Sequence, residues 1–181
     1  MNMEKMFSTK ERIRILTEAI FRTGSVGVSD VAARLKLSKG LVSKYFDILS
    51  KEGVLKKSKG KFFVADSSIV KAVKILLNIK GIDARLFRRY PFVKSVGLYG
   101  SCAKGENTED SDIDIWIRVE EAKEKELASL TSALQKKIGK ARVMLLTDGK
   151  IEKLKKEDEL FYHALAFGSI ILYGDRNGVQ I

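Results

Sequence analysis

The sequence predicts an α+β protein of two domains, in which helices and a hairpin are followed by an α/β half. Apolar residues recur at helical spacing early in the chain, whereas short strand-like runs flank a glycine-containing loop later on. The charge divides in the same way: residues 1–90 carry 20 basic and 8 acidic side chains, and residues 91–181 carry 14 and 15, giving net charges of +12 and −1. We place one domain at 1–66 and another at 91–181, with a helical connector over 67–90.

The composition excludes several classes of protein. Hydrophobic residues make up 45% of the 181 positions, enough to build real cores and too many for a disordered chain. No run approaches the roughly 20 apolar residues of a membrane span, and the first residues lack the apolar run of a secretory signal. Cys102 is the single cysteine, so we expect neither an internal disulfide nor a zinc site. These observations predict a cytoplasmic protein without membrane contact.

Capping residues mark the first two helices. Ser8, with Glu11 three positions later, forms a capping-box pattern that predicts a helix over 9–22. The pair Ser29-Asp30 precedes a short predicted helix over 31–35.

The surplus of positive charge on residues 1–90 indicates a polyanionic partner, of which nucleic acid is the commonest.

A third helix is predicted between Ser38, its capping residue, and Gly53, its stop signal. The apolar stripe predicted for this helix consists of Leu41, Tyr45, Ile48 and Leu49. Polar and basic side chains near its beginning are left to face outward. Two short strands follow, at residues 54–55 and 62–64, and the basic sequence KKSKGK joins them as the turn of a hairpin.

The order helix, helix, helix, hairpin over residues 8–65 resembles the winged helix-turn-helix family, with SKGLVSKYFDILSKEGVL as the resembling segment. The resemblance implies that the third helix enters the major groove of duplex DNA and that the hairpin contacts the DNA backbone. The residues it places against DNA are Ser38, Lys39, Ser43 and Lys44 on the helix, and Lys56, Lys57, Lys59 and Lys61 on the hairpin. A protein-binding module is the alternative, which the basic hairpin disfavours.

The clearest chemical signature lies between two predicted strands of the C-terminal half. An apolar strand over 93–99 leads into Gly100 and Ser101, where backbone amides and a hydroxyl can approach a phosphate because glycine has no side chain. On the next strand, the period of two places Asp112 and Asp114 on one face. Carboxylates beside a phosphate site are the ligands that Mg²⁺ requires.

The string G-S-x-A-x-G, five further residues and S-D-I-D resembles the nucleotidyltransferase superfamily of the DNA polymerase beta kind, in the short form of the prokaryotic minimal nucleotidyltransferases. The resemblance covers about residues 85–175. It implies an α/β architecture with a mixed sheet, a nucleoside triphosphate donor and transfer of a nucleoside monophosphate to an acceptor hydroxyl. It makes Gly100 and Ser101 nucleotide-binding residues, and Asp112 and Asp114 the catalytic ligands of Mg²⁺.

One position departs from the family pattern. The family's third carboxylate lies on the next core strand, nearest the acceptor hydroxyl, but the predicted strand ARVMLLT contains no acid and aligns Arg142 with that position. Three placements fit the sequence: Arg142 pairs with Asp112 and Asp114 and can bind nucleotide, it points to solvent, or a shifted register puts Met144 in the slot. Without the third acid, Mg²⁺ binding should weaken and transfer should slow by about a hundredfold or more.

Asp148 lies just beyond that strand, where we predict a turn rather than a displaced metal ligand.

The sequence leaves two functions open. The first is a Mg²⁺-dependent nucleotidyltransferase brought to duplex DNA by its basic half. The second is a non-catalytic transcriptional regulator or antitoxin whose nucleotidyltransferase-like domain binds nucleotide or a protein partner, since the resemblance implies that a toxin-like protein can be the acceptor. A homodimer is compatible with either.

Overall fold

A computed structural model of the chain describes residues 2–174, which form two compact units. The first unit comprises residues up to 77 together with 107–110, and the second comprises the remaining described residues. The predicted connector is therefore shared between the two units, and the predicted domain end at 181 lies outside the described residues. Within residues 2–174, no helix is both long and apolar enough to cross a membrane.

The first unit is built from helices and one hairpin. These elements are α1 (Met3–Phe7), α2 (Lys10–Ile20), α3 (Val28–Leu35), α4 (Lys39–Lys51), β1 (Leu55–Ser58), β2 (Lys61–Val64) and the first part of α5 (Ser68–Gly81). The cap predicted for α2 is wrong by one residue, because the Thr9 hydroxyl, not that of Ser8, accepts the Arg12 amide. The cap of α3 is also different, since Gly27 precedes a helix that begins earlier than predicted.

Helix α4 confirms the predicted helix and its cap, since the Ser38 hydroxyl accepts the Leu41 amide at 3.2 Å. Two residues of the predicted stripe, Tyr45 and Leu49, are buried, whereas Leu41 is 36% exposed and Ile48 is half-buried. Val42 and Phe46 are buried with Tyr45 and Leu49, and these four side chains keep the helical spacing. The Phe46 ring packs edge-on against Phe62 of β2 at 5.1 Å, a contact between elements that helical spacing alone does not reveal.

The hairpin turns more tightly than predicted. Lys59 and Gly60 form a two-residue turn with positive φ angles of 48° and 77°, as a type I′ turn requires. The other lysines of the predicted basic turn lie in the strands instead, with Lys56 and Lys57 on β1 and Lys61 on β2. The lysines therefore spread along the hairpin rather than clustering at its tip.

The second unit contains a four-stranded sheet covered by helices. Its elements after α5 are a 3-10 helix (Ala84–Arg89), β3 (Val93–Leu98), α6 (Gly100–Lys104), β4 (Ile113–Val119), α7 (Glu124–Ile138), β5 (Ala141–Leu146), α8 (Asp148–Glu157), α9 (Glu159–Gly168) and β6 (Ile170–Tyr173). The strand order is β5-β4-β3-β6, with β4 and β5 parallel and β3 antiparallel to both of its neighbours. The mixed sheet expected from the sequence is thus confirmed.

The two faces of the sheet carry different cores. Ile115 and Ile117 of β4 join the larger core, which includes residues of α7 and β3. Trp116 points to the other face, where it forms a second cluster with residues of β5, α8 and α9. Because side chains alternate along a strand, Asp114 lies on the same face as Trp116. Asp114 therefore lies beside the apolar cluster around Trp116.

Trp116 is fully buried, and its indole nitrogen donates to the Ser169 hydroxyl at 2.8 Å. Its ring lies against Gly97 of β3, where an added Cβ would be 2.2 Å from the ring. We expect Gly97→Ala to destabilise the second unit by about 1–3 kcal/mol, since the ring cannot move without disturbing its cluster. Urea unfolding followed by the fluorescence of Trp116, the single tryptophan, measures this loss.

Gly149→Ala is the matched control, because a Cβ at this position of α8 would meet nothing within 4 Å. Alanine favours a helix over glycine, so this variant should be as stable as the parent or more stable by up to about 1 kcal/mol. Equal unfolding midpoints for Gly97→Ala and the parent would contradict the packing described for Trp116.

Candidate functional site

The glycine and serine that the sequence singled out lie where β3 ends and α6 begins. The sequence predicted a glycine-containing loop here, and the structure shows a short helix that Gly105 ends in a left-handed conformation (φ 68°). The helix forms because Cys102 and Ala103 bury their side chains on its inner side. Burial raises the pKa of the Cys102 thiol to about 11, so this cysteine is inert near neutral pH.

Gly100 is in close contact with one of the acidic residues. Its φ angle is +69°, and an added Cβ would lie 2.7 Å from Oδ2 of Asp114. The backbone amide of Tyr99 also donates to the Asp114 carbonyl at 3.0 Å, which fixes the end of β3 against β4. Glycine is therefore required both for the backbone turn and for the closeness of the carboxylate.

Asp112 lies one residue before β4, and Asp114 is the second residue of that strand. Partial burial raises the pKa of the Asp114 carboxyl, Arg142 lowers it, and the charge of Asp112 raises it further. The three side chains therefore interact electrostatically. The Cys102 thiol contacts the Asp112 carbonyl at 3.5 Å, which links the short helix to this acidic segment.

Arg142 occupies the position on β5 directly beside Asp114 in the parallel register. Its Nη2 atom lies 2.8 Å from Oδ2 of Asp112, so of the three placements left open by the sequence, the structure shows the ion pair with Asp112. The arginine side chain is 73% exposed and that of Asp112 37%, so the pair adds less than about 1 kcal/mol to stability. The pair nevertheless engages one of the two carboxylates of the site.

The site offers two carboxylates to a divalent metal, those of Asp112 and Asp114. Within residues 2–174, no group of three or more histidine, cysteine, aspartate and glutamate side chains is placed to hold a metal ion. Asp112 and Asp114 supply the hard oxygen ligands that Mg²⁺ prefers, but Arg142 already engages one of them. Asp112 and Asp114 are the residues that would hold Mg²⁺, and the ion pair of Arg142 with Asp112 would compete with it.

The residues expected to face DNA all lie in the first unit, and each of the eight is exposed. Ser38 differs from the others because its hydroxyl already caps α4. Lys57 lies over the Phe62 ring at 5.4 Å, which holds its ammonium group along the hairpin. The hairpin and the beginning of α4 thus present basic side chains to the solvent.

Sequence reasoning missed two features of the second unit. Asp148, predicted in a turn, is the first residue of α8, and its carboxylate pairs with Arg118 at 3.0 Å. Thr147 gives the sequence signal for this helix, since its hydroxyl accepts the Lys150 amide as an N-cap. The second feature is Tyr99, whose pKa is raised by burial and by the charge of Asp114 and whose ring packs against Phe161.

The solved structures that resemble this chain include the following two. A nucleotidyltransferase from Sulfolobus solfataricus aligns over 65% of this chain and 96% of its own, with 20% identity and a TM-score of 0.39. A toxin–antitoxin structure with AMP-PNP aligns over 55% of this chain and 76% of its own, with 20% identity and a TM-score of 0.40.

Sequence comparison defines the family. The model of the nucleotidyltransferase domain family matches residues 79–166, which include every residue of the site around Asp114. A protein of Methanocaldococcus jannaschii named as a protein adenylyltransferase is 40% identical over 77 residues, which are 39% of this chain and 76% of that protein. With this identity over three quarters of that relative, the chain belongs to the nucleotidyltransferase domain family.

Proposed function

We propose that the second unit binds ATP and transfers its adenylate to a hydroxyl group of a protein. The observation that carries this proposal is the close approach of the Asp114 carboxylate to the Gly100 backbone, because it puts a carboxylate beside a backbone cradle for phosphate. Adenylate and a protein acceptor are proposed because the Methanocaldococcus relative is named as a protein adenylyltransferase.

In this proposal each residue has a separate task. The backbone at Gly100 and the Ser101 hydroxyl orient the triphosphate, and Asp112 with Asp114 would hold Mg²⁺, which neutralises phosphate charge when bound. The acceptor hydroxyl oxygen bonds to the α-phosphorus while the bond to the β-phosphate oxygen breaks, and pyrophosphate leaves. The hydroxyl proton passes to solvent, since Arg142 stands where a carboxylate base would otherwise accept it.

Arg142 favours a second candidate function. Its ion pair with Asp112 lowers the negative charge that attracts a metal, while its exposed guanidinium can bind a triphosphate oxygen directly. Such a site would bind nucleotide with little transfer. A non-catalytic regulator or antitoxin that senses nucleotide, and holds a toxin-like protein as its partner, is therefore the alternative.

Labelled nucleotide distinguishes these two functions. The full chain is incubated with Mg²⁺, ATP labelled at its α-phosphate and protein fractions as acceptors. Label that stays on a protein after denaturation supports transfer, whereas ATP that binds without moving its label to any protein supports the nucleotide-sensing alternative. If the chain does not bind ATP at all, both are wrong.

We also propose that the first unit is a winged helix-turn-helix domain and that it binds duplex DNA. The supports are the order of three helices and a hairpin, the exposed lysines of the hairpin, and the net charge of +12 on residues 1–90. An additional bridge between Val26 and Phe62 extends the hairpin by a third short segment.

We further propose that the protein acts in the cytoplasm, because its single cysteine is buried and has no second cysteine with which to form an internal disulfide.

Replacing Lys57 and Lys59 by alanine should weaken binding of the full chain to every duplex alike. Each lost phosphate contact should reduce the slope of log affinity against log salt by about 0.9. Replacing Lys39 and Lys44 on α4 should instead reduce the preference among sequences. Fluorescence anisotropy with mixed-sequence duplexes over a salt series measures both effects.

Lys136→Ala with Lys137→Ala on α7 is the matched control, because it removes two exposed lysines from the other unit. This control should leave DNA affinity and its salt slope nearly unchanged. The DNA-binding proposal fails if the parent protein shows no salt-dependent affinity for duplexes, or if the control weakens binding as much as the hairpin variant.

A further inference from the structure

Among residues 2–174, β5 pairs with a strand on one side only, and its other edge faces away from the sheet. β5 is the last strand of the sheet order, and the Lys140 carbonyl accepts the Ile113 amide, so residues of even number direct their backbone groups toward β4. Residues of odd number direct theirs outward, as the Leu145 carbonyl shows by accepting Lys150 Nζ at 3.2 Å. Val143 therefore points its amide and carbonyl away from the sheet.

A groove lies along this edge. It has a volume of about 420 Å³, and the whole stretch 143–146 of β5 forms one of its walls. The opposite wall comes from α8 and the beginning of α9, with Leu154 and Phe161 as its apolar side chains. A volume of this size accommodates a large side chain or a small ligand.

The groove lies on the side from which an acceptor must approach. The phosphate cradle follows β3, the carboxylates lie on or beside β4, and Arg142 lies on β5. Because these strands are neighbours in the order β5-β4-β3, the groove along the outer edge of β5 lies on the opposite side of the carboxylates from the cradle. In a displacement at phosphorus the attacking and leaving oxygens are roughly in line. A leaving pyrophosphate on the cradle side therefore puts the acceptor hydroxyl on the side of β5.

We propose that an extended segment of the acceptor protein adds as a strand to the outer edge of β5 and places an apolar side chain in the groove. Backbone pairing to Val143 gives affinity, and the groove selects the side chain. This segment would bring its hydroxyl-bearing residue beside Arg142. The inference rests on the proposed adenylyl transfer, whose acceptor it describes.

The charges of the groove favour a polypeptide over a nucleic acid as the occupant. Lys150 and Lys153 line the groove together with Glu157 and Asp158, so positive and negative side chains balance. Lys153 is further neutralised by Glu157, 3.6 Å away. A polyanion gains little from such a surface, whereas a strand with alternating apolar residues can satisfy both the open backbone and the apolar walls.

The test uses the full chain and a library of short random peptides. Peptides selected on the protein should share an alternating apolar pattern, and the amide hydrogens of Val143 and Leu145 should exchange more slowly by NMR when such a peptide is bound. The amides of Met144 and Leu146, which already face β4, should not change. This readout needs no altered protein and no catalysis.

Val143→Pro removes the outward amide and should weaken a selected peptide at least tenfold, because an edge strand accepts proline only where its N–H faces outward. Val143→Thr keeps the amide and should bind as the parent does. Three results would overturn the inference. A selected peptide could bind Val143→Pro as well as it binds the parent, or it could slow amide exchange only at other residues. Single-stranded DNA could also displace the peptide from the amides of Val143 and Leu145.

The outcome is separable from that of the proposed function. Peptide pairing at β5 without transfer of label leaves the docking edge in place and refutes catalysis. If Val143→Pro transfers label to a protein as fast as the parent does, the docking edge is refuted and catalysis is left in place.

Discussion

Arg142→Asp is expected to tighten Mg²⁺ binding by roughly tenfold to a hundredfold, because it removes a positive charge and adds a negative one beside Asp112 and Asp114. The parent guanidinium lies 2.8 Å from the Asp112 carboxylate and competes with any cation there. The new carboxylate would also be near the acceptor hydroxyl and could accept its proton. Transfer of adenylate should therefore rise by about a hundredfold.

Arg142→Gln separates these two effects. Glutamine removes the positive charge without adding a base, so Mg²⁺ should bind more tightly than in the parent while transfer stays low. Mg²⁺ titration by calorimetry and label transfer from ATP, measured on all three proteins, compare them directly. Brisk transfer by the parent, or unchanged Mg²⁺ affinity in Arg142→Asp, would falsify the role assigned to this arginine.

The double replacement Asp112→Asn with Asp114→Asn is expected to remove the part of ATP affinity that depends on Mg²⁺. Amide groups keep the size of the side chains but lose the charge that holds a divalent cation. Charge-assisted contacts of this kind are worth about 1.5–3 kcal/mol, so ATP in the presence of Mg²⁺ should bind roughly tenfold to a hundredfold more weakly.

The affinity measured without Mg²⁺ should rise or stay constant in the same double variant, since two negative charges beside the triphosphate are gone. Glu121→Gln supplies the control, because it removes an exposed carboxylate of the second unit that lies outside the site. Calorimetric titrations of the parent, the double variant and the control, each with and without Mg²⁺, give the six affinities to compare. If the double variant binds MgATP as the parent does, the nucleotide site lies elsewhere.

Short-range periodicity accounts for the parts of the site that the sequence could predict. Alternation along β4 sets the direction of Asp114, and the parallel register of β4 and β5 puts Arg142 beside it, at the position that the family resemblance aligned with the third carboxylate. Asp112 lies one residue before β4, so the alternation expected for both aspartates covers only Asp114. The cap at Ser38 was predictable for a similar reason, since it too depends on a local rule. The mixed sheet was expected from the family resemblance and not from a local rule.

The features that the sequence did not predict depend on contacts between distant elements. Phe46, which the predicted stripe of α4 did not include, packs against Phe62 from the hairpin. The short helix at Gly100 exists because Cys102 can be buried beneath it. Asp148 pairs with Arg118 of another strand, and no pattern of spacing along the chain predicts that pair.

The most direct measurement of the central claim is a crystal structure of the full chain with a non-hydrolysable ATP analogue and Mn²⁺. The account predicts triphosphate oxygens at the Gly100 backbone and the Ser101 hydroxyl, with the Arg142 guanidinium turned from Asp112 toward a phosphate. In Arg142→Asp it predicts anomalous density for Mn²⁺ between the carboxylates of Asp112 and Asp114. A triphosphate bound away from Gly100, or Mn²⁺ bound to neither aspartate in that variant, would contradict it.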